Sequence, residues 1–146
     1  MVANTSPVFT LTPALSVNNG TGMGTALTAA ANDVTGVSAN NQLVFTAGTV
    51  DGSYLRRLHF KPLGTNATQT VARIFLNNGA DPTVATNNRF FDDFQLPATT
   101  ISATAPIGPG QDFIMEFAIP AGWRIYVGLA TAVAAGWAVT PIGGNY

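Results

Sequence analysis

Asp112-Phe113-Ile114-Met115-Glu116-Phe117-Ala118-Ile119 is the stretch that decides the fold class. Phe113, Met115, Phe117 and Ile119 alternate with Asp112, Ile114, Glu116 and Ala118, so a period of two gives one apolar face and one mostly polar face. A helix would scramble that split. The alternation resumes with Trp123, Ile125, Val127 and Leu129 against Arg124, Tyr126, Gly128 and Ala130, and continues through Trp137 and Val139. Pro120-Ala121-Gly122 and Ala135-Gly136 punctuate these runs as turns.

Working outward toward the N-terminus, residues 42–47, 54–63, 68–76 and 88–96 read as further strands. Asp51-Gly52, Gly64-Thr65-Asn66 and Asn77-Asn78-Gly79 separate them, and Asn-Gly and Asp-Gly favour positive φ and tight reversal. Seven to nine strands at spacings of roughly 10 to 15 residues, without βαβ alternation, predict an all-β antiparallel sandwich. Pro62, Pro97, Pro120 and Pro141 are expected at strand ends or edges, where a missing backbone donor costs little. The 15 residues 125–139, with two glycines, fall short of the roughly 20 apolar residues that span a bilayer and read as a buried strand pair.

The 146 residues suit one domain. Residues 33–146 are read as a single sandwich domain, and residues 1–32, which carry no charge, as an extended N-terminal arm containing a first strand. That arm, with Val8, Phe9 and Leu11 and a glycine-rich link through Asn18-Asn19-Gly20, Gly22 and Gly24, has two readings. It is a first strand with a loose connection, or a segment that lies on a neighbouring subunit.

Hydrophobic residues make up 47% of the chain and charged residues only 9%, against about 25% charged in typical soluble domains. Mass scaling gives a surface of about 7,000 Å², so six basic and seven acidic side chains leave roughly one charge per 540 Å². Such a surface suits a molecule covered by Thr, Asn and Gln, or packed against neighbours, because charges are depleted at interface cores. A net charge of −1 gives no electrostatic footprint for nucleic acid. The absence of cysteine removes disulfides, thiolate metal sites and a cysteine nucleophile. The N-terminus has no positive n-region or apolar h-region, so cytoplasmic synthesis and no membrane association are expected.

Catalytic groups are thinly supplied, with one histidine and seven carboxylates. His59 stands among Arg56, Arg57 and Lys61 and reads as a surface histidine; Arg57, His59 and Lys61 share a strand face, which is expected to be solvated or paired with an acidic neighbouring subunit rather than with nucleic acid. Asp92 and Asp93 point to opposite faces of a strand, so they cannot serve one glycosidase cleft. Asp112 and Glu116 share a face and are expected to solvate it or to pair with Arg73, Arg89 or Arg124. Gly20, Gly22 and Gly24 lack the strand, helix and lysine of a phosphate loop. Asn77-Asn78-Gly79-Ala80-Asp81 lacks the spacing of a calcium loop and reads as a turn. No enzyme activity, cofactor or metal is expected. Tyr54, Tyr126 and Trp137 could stack on sugars, which keeps a carbohydrate-binding module open.

Three segments carry a family resemblance: FTAGTVDGSYLRRLHFKPLGTNATQTVARIFLNNG, NNRFFDDFQLPATTIS and FAIPAGWRIYVGLATAVAAGWAVTPIGGNY, in that order. Over residues 24–146 the chain resembles the cement or decoration proteins that coat the capsids of tailed bacteriophages. The resemblance implies a jelly-roll sandwich, assembled as trimers or dimers, that bridges adjacent major capsid subunits on the outer surface of the virion. No motif carries over residue by residue. Val8, Phe9, Leu11, Tyr54, Arg57, Tyr126 and Tyr146 are the positions nominated for protein contacts. A tail, baseplate or receptor-binding component is the neighbouring alternative.

Overall fold

Alternation along the chain becomes two antiparallel four-stranded sheets in the computed structural model, which describes residues 12–14 and 26–146. The strands are β1 (Thr12–Ala14), β2 (Gln42–Thr46), β3 (Ser53–Pro62), β4 (Thr70–Asn77), β5 (Asn88–Leu96), β6 (Gln111–Ile119), β7 (Arg124–Leu129) and β8 (Trp137–Asn145). One sheet has the order β1-β8-β3-β6 and the other β2-β7-β4-β5. A 3-10 turn, Ala85–Asn87, is the one helical element among the described residues. The expected strand bounds hold to within two residues.

Inward side chains of the two sheets form one core. Leu55, Leu58 and Phe60 of β3, Met115 and Ile119 of β6, and Trp137 and Val139 of β8 meet Val44, Phe45, Ala72, Ile74, Leu96, Ile125, Val127 and Leu129 from the other sheet. The architecture is therefore all-β and sandwich-like. Each large aliphatic or aromatic side chain so buried contributes about 1.5 to 3 kcal/mol relative to exposure. The segment just before residue 32 joins this body: Leu27 is buried, exchanges two backbone hydrogen bonds with Trp137, and is followed by Ala31, which donates to Leu129. One short segment thus ties β8 of one sheet to β7 of the other.

Pairing departs from what local turns suggest. Only β4 and β5 are both consecutive in the chain and hydrogen-bonded to each other. Residues 125–139 supply two buried strands as expected, but β7 and β8 belong to different sheets and are not a pair. Asp51-Gly52 likewise joins strands of different sheets. Gly52 is needed there, because its φ is +80° and a Cβ would strike the carbonyl of Ile119. Turn chemistry specifies a reversal and leaves the choice of sheet to long-range packing. Pro141 departs from the expectation of a strand end or edge: it lies inside β8, opposite Leu58 of β3, and β8 is flanked by β1 and β3.

Loops at one end of the sandwich converge on Asn66, which is fully buried. Its Nδ2 donates to the Gly136 carbonyl at 3.1 Å, and its Oδ1 accepts from the N–H groups of Ala135 and Gly136 at 2.9 and 3.0 Å. Its backbone exchanges two 2.9 Å hydrogen bonds with Thr99, whose hydroxyl donates to Gly64 at 2.8 Å. Truncation would take the side-chain acceptor away from the N–H groups of Ala135 and Gly136, each such loss at a buried group costing about 1 to 3 kcal/mol. Asn66→Ala is therefore expected to lower unfolding stability by about 3 kcal/mol, read from the urea midpoint at unchanged slope. A loss below about 1 kcal/mol would show that the three loops are held by other contacts.

Candidate interaction surfaces

The outward face of the β1-β8-β3-β6 sheet is set by irregular pairing in β3. Leu55 is opposite Phe117 and Gly143, whereas Arg57 is opposite Ile114 and Ile142, so the register shifts on both sides at Arg56. After the shift Arg57, His59 and Lys61 face outward while Leu58 and Phe60 enter the core. Arg57 Nη1 lies 3.0 Å from Asp112 Oδ2, and His59 Nδ1 lies 2.6 Å from Asp112 Oδ1. Lys61 Nζ donates to the Gly108 carbonyl at 2.8 Å. Asp112 thus pairs within its own sheet with Arg57, not with Arg73, Arg89 or Arg124, because β3 is the neighbour of β6. Side-chain exposures near 36% for these groups keep the net worth of such pairs modest, at about 0 to 1 kcal/mol.

Glycine builds the seat of His59. A Cβ at Gly110 would collide with Cε1 and Nε2 of the imidazole, so the ring lies against bare backbone while Nδ1 meets Asp112. This contact was not legible in the sequence, since Gly110 is remote from His59 and stands in a Gly-Pro-Gly run that reads as a turn.

On the outward face of the other sheet, residues 33–41 fold over β4 and β7. Asp33 organises them: Oδ1 accepts from the N–H and hydroxyl of Thr35 at 2.6 and 2.7 Å, and Oδ2 accepts from the Ser38 N–H at 3.1 Å. Arg73 Nη1 holds the segment down through Asn32 Oδ1 at 2.9 Å and the Asp33 carbonyl at 3.2 Å. Partial burial, the largest single influence, pushes the Asp33 carboxyl up, but the hydrogen bonds from Thr35, Ser38 and Gly36 together outweigh it. Its pKa lies below the ordinary 3.8. Between this segment and Pro82 and Thr83 is a cavity of about 120 Å³, lined also by Val37, Asn41 and Tyr126. Both amide atoms of Asn41 are buried without a hydrogen-bond partner, and its Oδ1 sits against Gly128.

The nominated contact positions do not converge on one patch. Tyr54 and Arg57 are half-buried on the outward face of β3, and Tyr146 follows β8, its N–H donating to Gly52 at 3.3 Å. Tyr126 belongs to the opposite sheet and lines the small cavity. Val8, Phe9 and Leu11 lie outside the described residues. Trp137, offered as a sugar platform, has no exposed surface and is a core residue. The Asn77–Asp81 loop spends its side-chain oxygens locally: Asn77, Asn78 and Asp81 accept from the N–H groups of Gly79, Ala80 and Thr83. Among the described residues no group of three or more His, Cys, Asp or Glu is placed to hold a metal ion. No protein-family model, curated protein or solved structure matches the chain.

Gly110→Ala should displace the His59 ring, abolish its contact with Asp112 and cost up to about 1 kcal/mol. Side-chain nitrogen shifts of His59 and thermal unfolding would check this, and an unmoved ring would refute the seat. A depressed carboxyl pKa adds stability above the unfolded value that is lost as pH falls through the folded one. Exchange protection of the Thr35 and Ser38 amides is therefore expected to fall as pH drops below about 3.8. Asp33→Asn should flatten that dependence; an unchanged profile would remove Asp33 as its source.

Proposed function

We propose that this chain is a jelly-roll structural protein of a bacteriophage virion, bound across adjacent major capsid subunits on the outer surface of the head as a cement or decoration protein. Strand order carries the reading. Two sheets ordered β1-β8-β3-β6 and β2-β7-β4-β5 interleave early and late strands, as expected when a long antiparallel ribbon is rolled into two Greek keys, an arrangement used by capsid and lectin domains. The resemblance of residues 45–79, 87–102 and 117–146 to cement proteins favours a place on the capsid within this reading, and the sparse charge suits a molecule packed among companions.

The mechanism is thermodynamic. A protein that binds the assembled lattice and not its separated subunits stabilises the lattice by mass action, and many copies on one shell compound the effect. Assembly as a homo-trimer, or a dimer, would multiply the attachment points of each bound unit. Val8, Phe9 and Leu11 are candidates for burial on a neighbour, and Tyr54, Arg57 and Tyr146 mark the sheet face that would accompany them.

Purified chain added to heads that lack it should bind saturably, decorate the shell at symmetry-related positions in electron micrographs, and raise the temperature at which DNA escapes. Deletion of residues 2–11 should lower occupancy at least several-fold. Decoration confined to tails, or recognition of glycans with no particle binding, would overturn the proposal in favour of a receptor-binding component or a carbohydrate-binding module.

A further inference from the structure

Among the described residues, β5 and β6 are the last strands of their respective sheets, each paired with a strand on one side only, and together they form an open flank. Five phenylalanines run outward along it. Ring centroids are 4.8 Å apart for Phe60 and Phe94, 5.5 Å for Phe94 and Phe113, 6.3 Å for Phe113 and Phe91, and 5.3 Å for Phe91 and Phe117. Exposure rises along that chain from 0% at Phe60 to 40% at Phe91. An apolar seam therefore leads from the core to solvent.

Both strands are irregular at the seam. In β5, Phe91 is the extra residue between Asp92, opposite Ile74, and Phe90, opposite Phe75. In β6, two residues separate Ile114 and Phe117 where β3 offers only Arg56 between their partners. Glu116 sits in that interval with φ +50°, the one non-glycine residue with positive φ among the described residues. Such a conformation is costly for a side-chain-bearing residue and is over-represented at binding surfaces. Bulges also spoil the flat edge that identical strands would use to pair with one another.

Charge completes the description. The two strands carry Asp92, Asp93, Asp112 and Glu116, four of the seven acids, but only Arg89 of the six basic residues. Asp112 is engaged by Arg57 and His59, and Asp93 stands opposite Arg73 in the pairing of β5 with β4. Asp92, whose carboxylate accepts the N–H of Asp93, and Glu116 are exposed and are the chain neighbours of Phe91 and Phe117. A second copy would bring a flank of the same negative sign, and nucleic acid or an anionic membrane would be repelled. A cation-bearing protein segment is attracted.

We infer that the β5–β6 flank docks an extended segment of a partner protein that alternates apolar side chains with Lys or Arg. Its apolar side chains lie on Phe91 and Phe117, and its cations meet Asp92 and Glu116. The inference rests on the reading of the chain as a subunit-binding protein and adds the face and the chemistry of the partner.

The probe is a blocked eight-residue peptide of alternating Lys and Val, titrated into isotope-labelled protein, with a Glu-for-Lys peptide as its counterpart. Chemical-shift changes are expected to concentrate on β5 and β6, with the Lys peptide at least tenfold tighter than the Glu peptide. Asp92→Asn with Glu116→Gln, which preserves shape, should weaken binding about tenfold, as should Phe91→Ser. Equal affinity for the two peptides, shifts centred elsewhere, or none at millimolar peptide would overturn the inference. So would self-association that Phe91→Ser abolishes, since the occupant would then be a second copy. Particle binding separates this from the function itself. If wild-type protein decorates heads and the variants do so equally, the flank is wrong and the function stands; if wild type decorates nothing but takes the Lys peptide, the function fails and the flank stands.

Discussion

Burial of one apolar layer between two sheets is the interaction on which every other feature depends. Phe45, Ile74 and Ile125 from one sheet and Leu55, Phe60 and Trp137 from the other have no exposed surface, and no disulfide or metal ligand set is present among the described residues to substitute for them. Trp137 has a further role, because its backbone exchanges hydrogen bonds with Leu27 while its indole fills the core. Its Nε1 finds no partner there, a desolvation cost that the burial of the ring must offset.

Polar groups close the ends of this layer. Asn66 gathers three loops, Asp33 shapes the segment over one sheet, and Ser53 meets Asn145 and the Gly48 N–H where β3 and the end of β8 adjoin. In a chain with so few charges, neutral amides and hydroxyls carry these duties. A neutral hydrogen-bonding surface also costs less to desolvate than a charged one.

Strand irregularities position the surfaces. The register shift at Arg56 turns Arg57 and His59 outward onto Asp112, and the bulges at Phe91 and beside Glu116 fall along the flank where the two sheets end. Much of this could not be read beforehand. His59 among basic neighbours was legible as a surface histidine; its seat on Gly110 was not, because only the pairing of β3 with β6 brings residues 59 and 110 together. Asp112 and Glu116 were legible as outward-facing acids. The partners of Asp112 were not, since arginines of the other sheet are equally available to a reading of the sequence.

What the amino-acid sequence determined alone was the class of structure: strands, their inward faces and their turns, because a period of two, proline and glycine act within a few residues. Asn88–Leu96 is recoverable from its own residues to the last position. Only the tertiary structure decided which strands pair, that Thr12 lies against Asn145, and that β5 and β6 share an open flank lined with phenylalanine. Those outcomes depend on contacts between residues far apart in the chain, where the free energy of burying a whole layer selects one arrangement from many that satisfy the same local pattern.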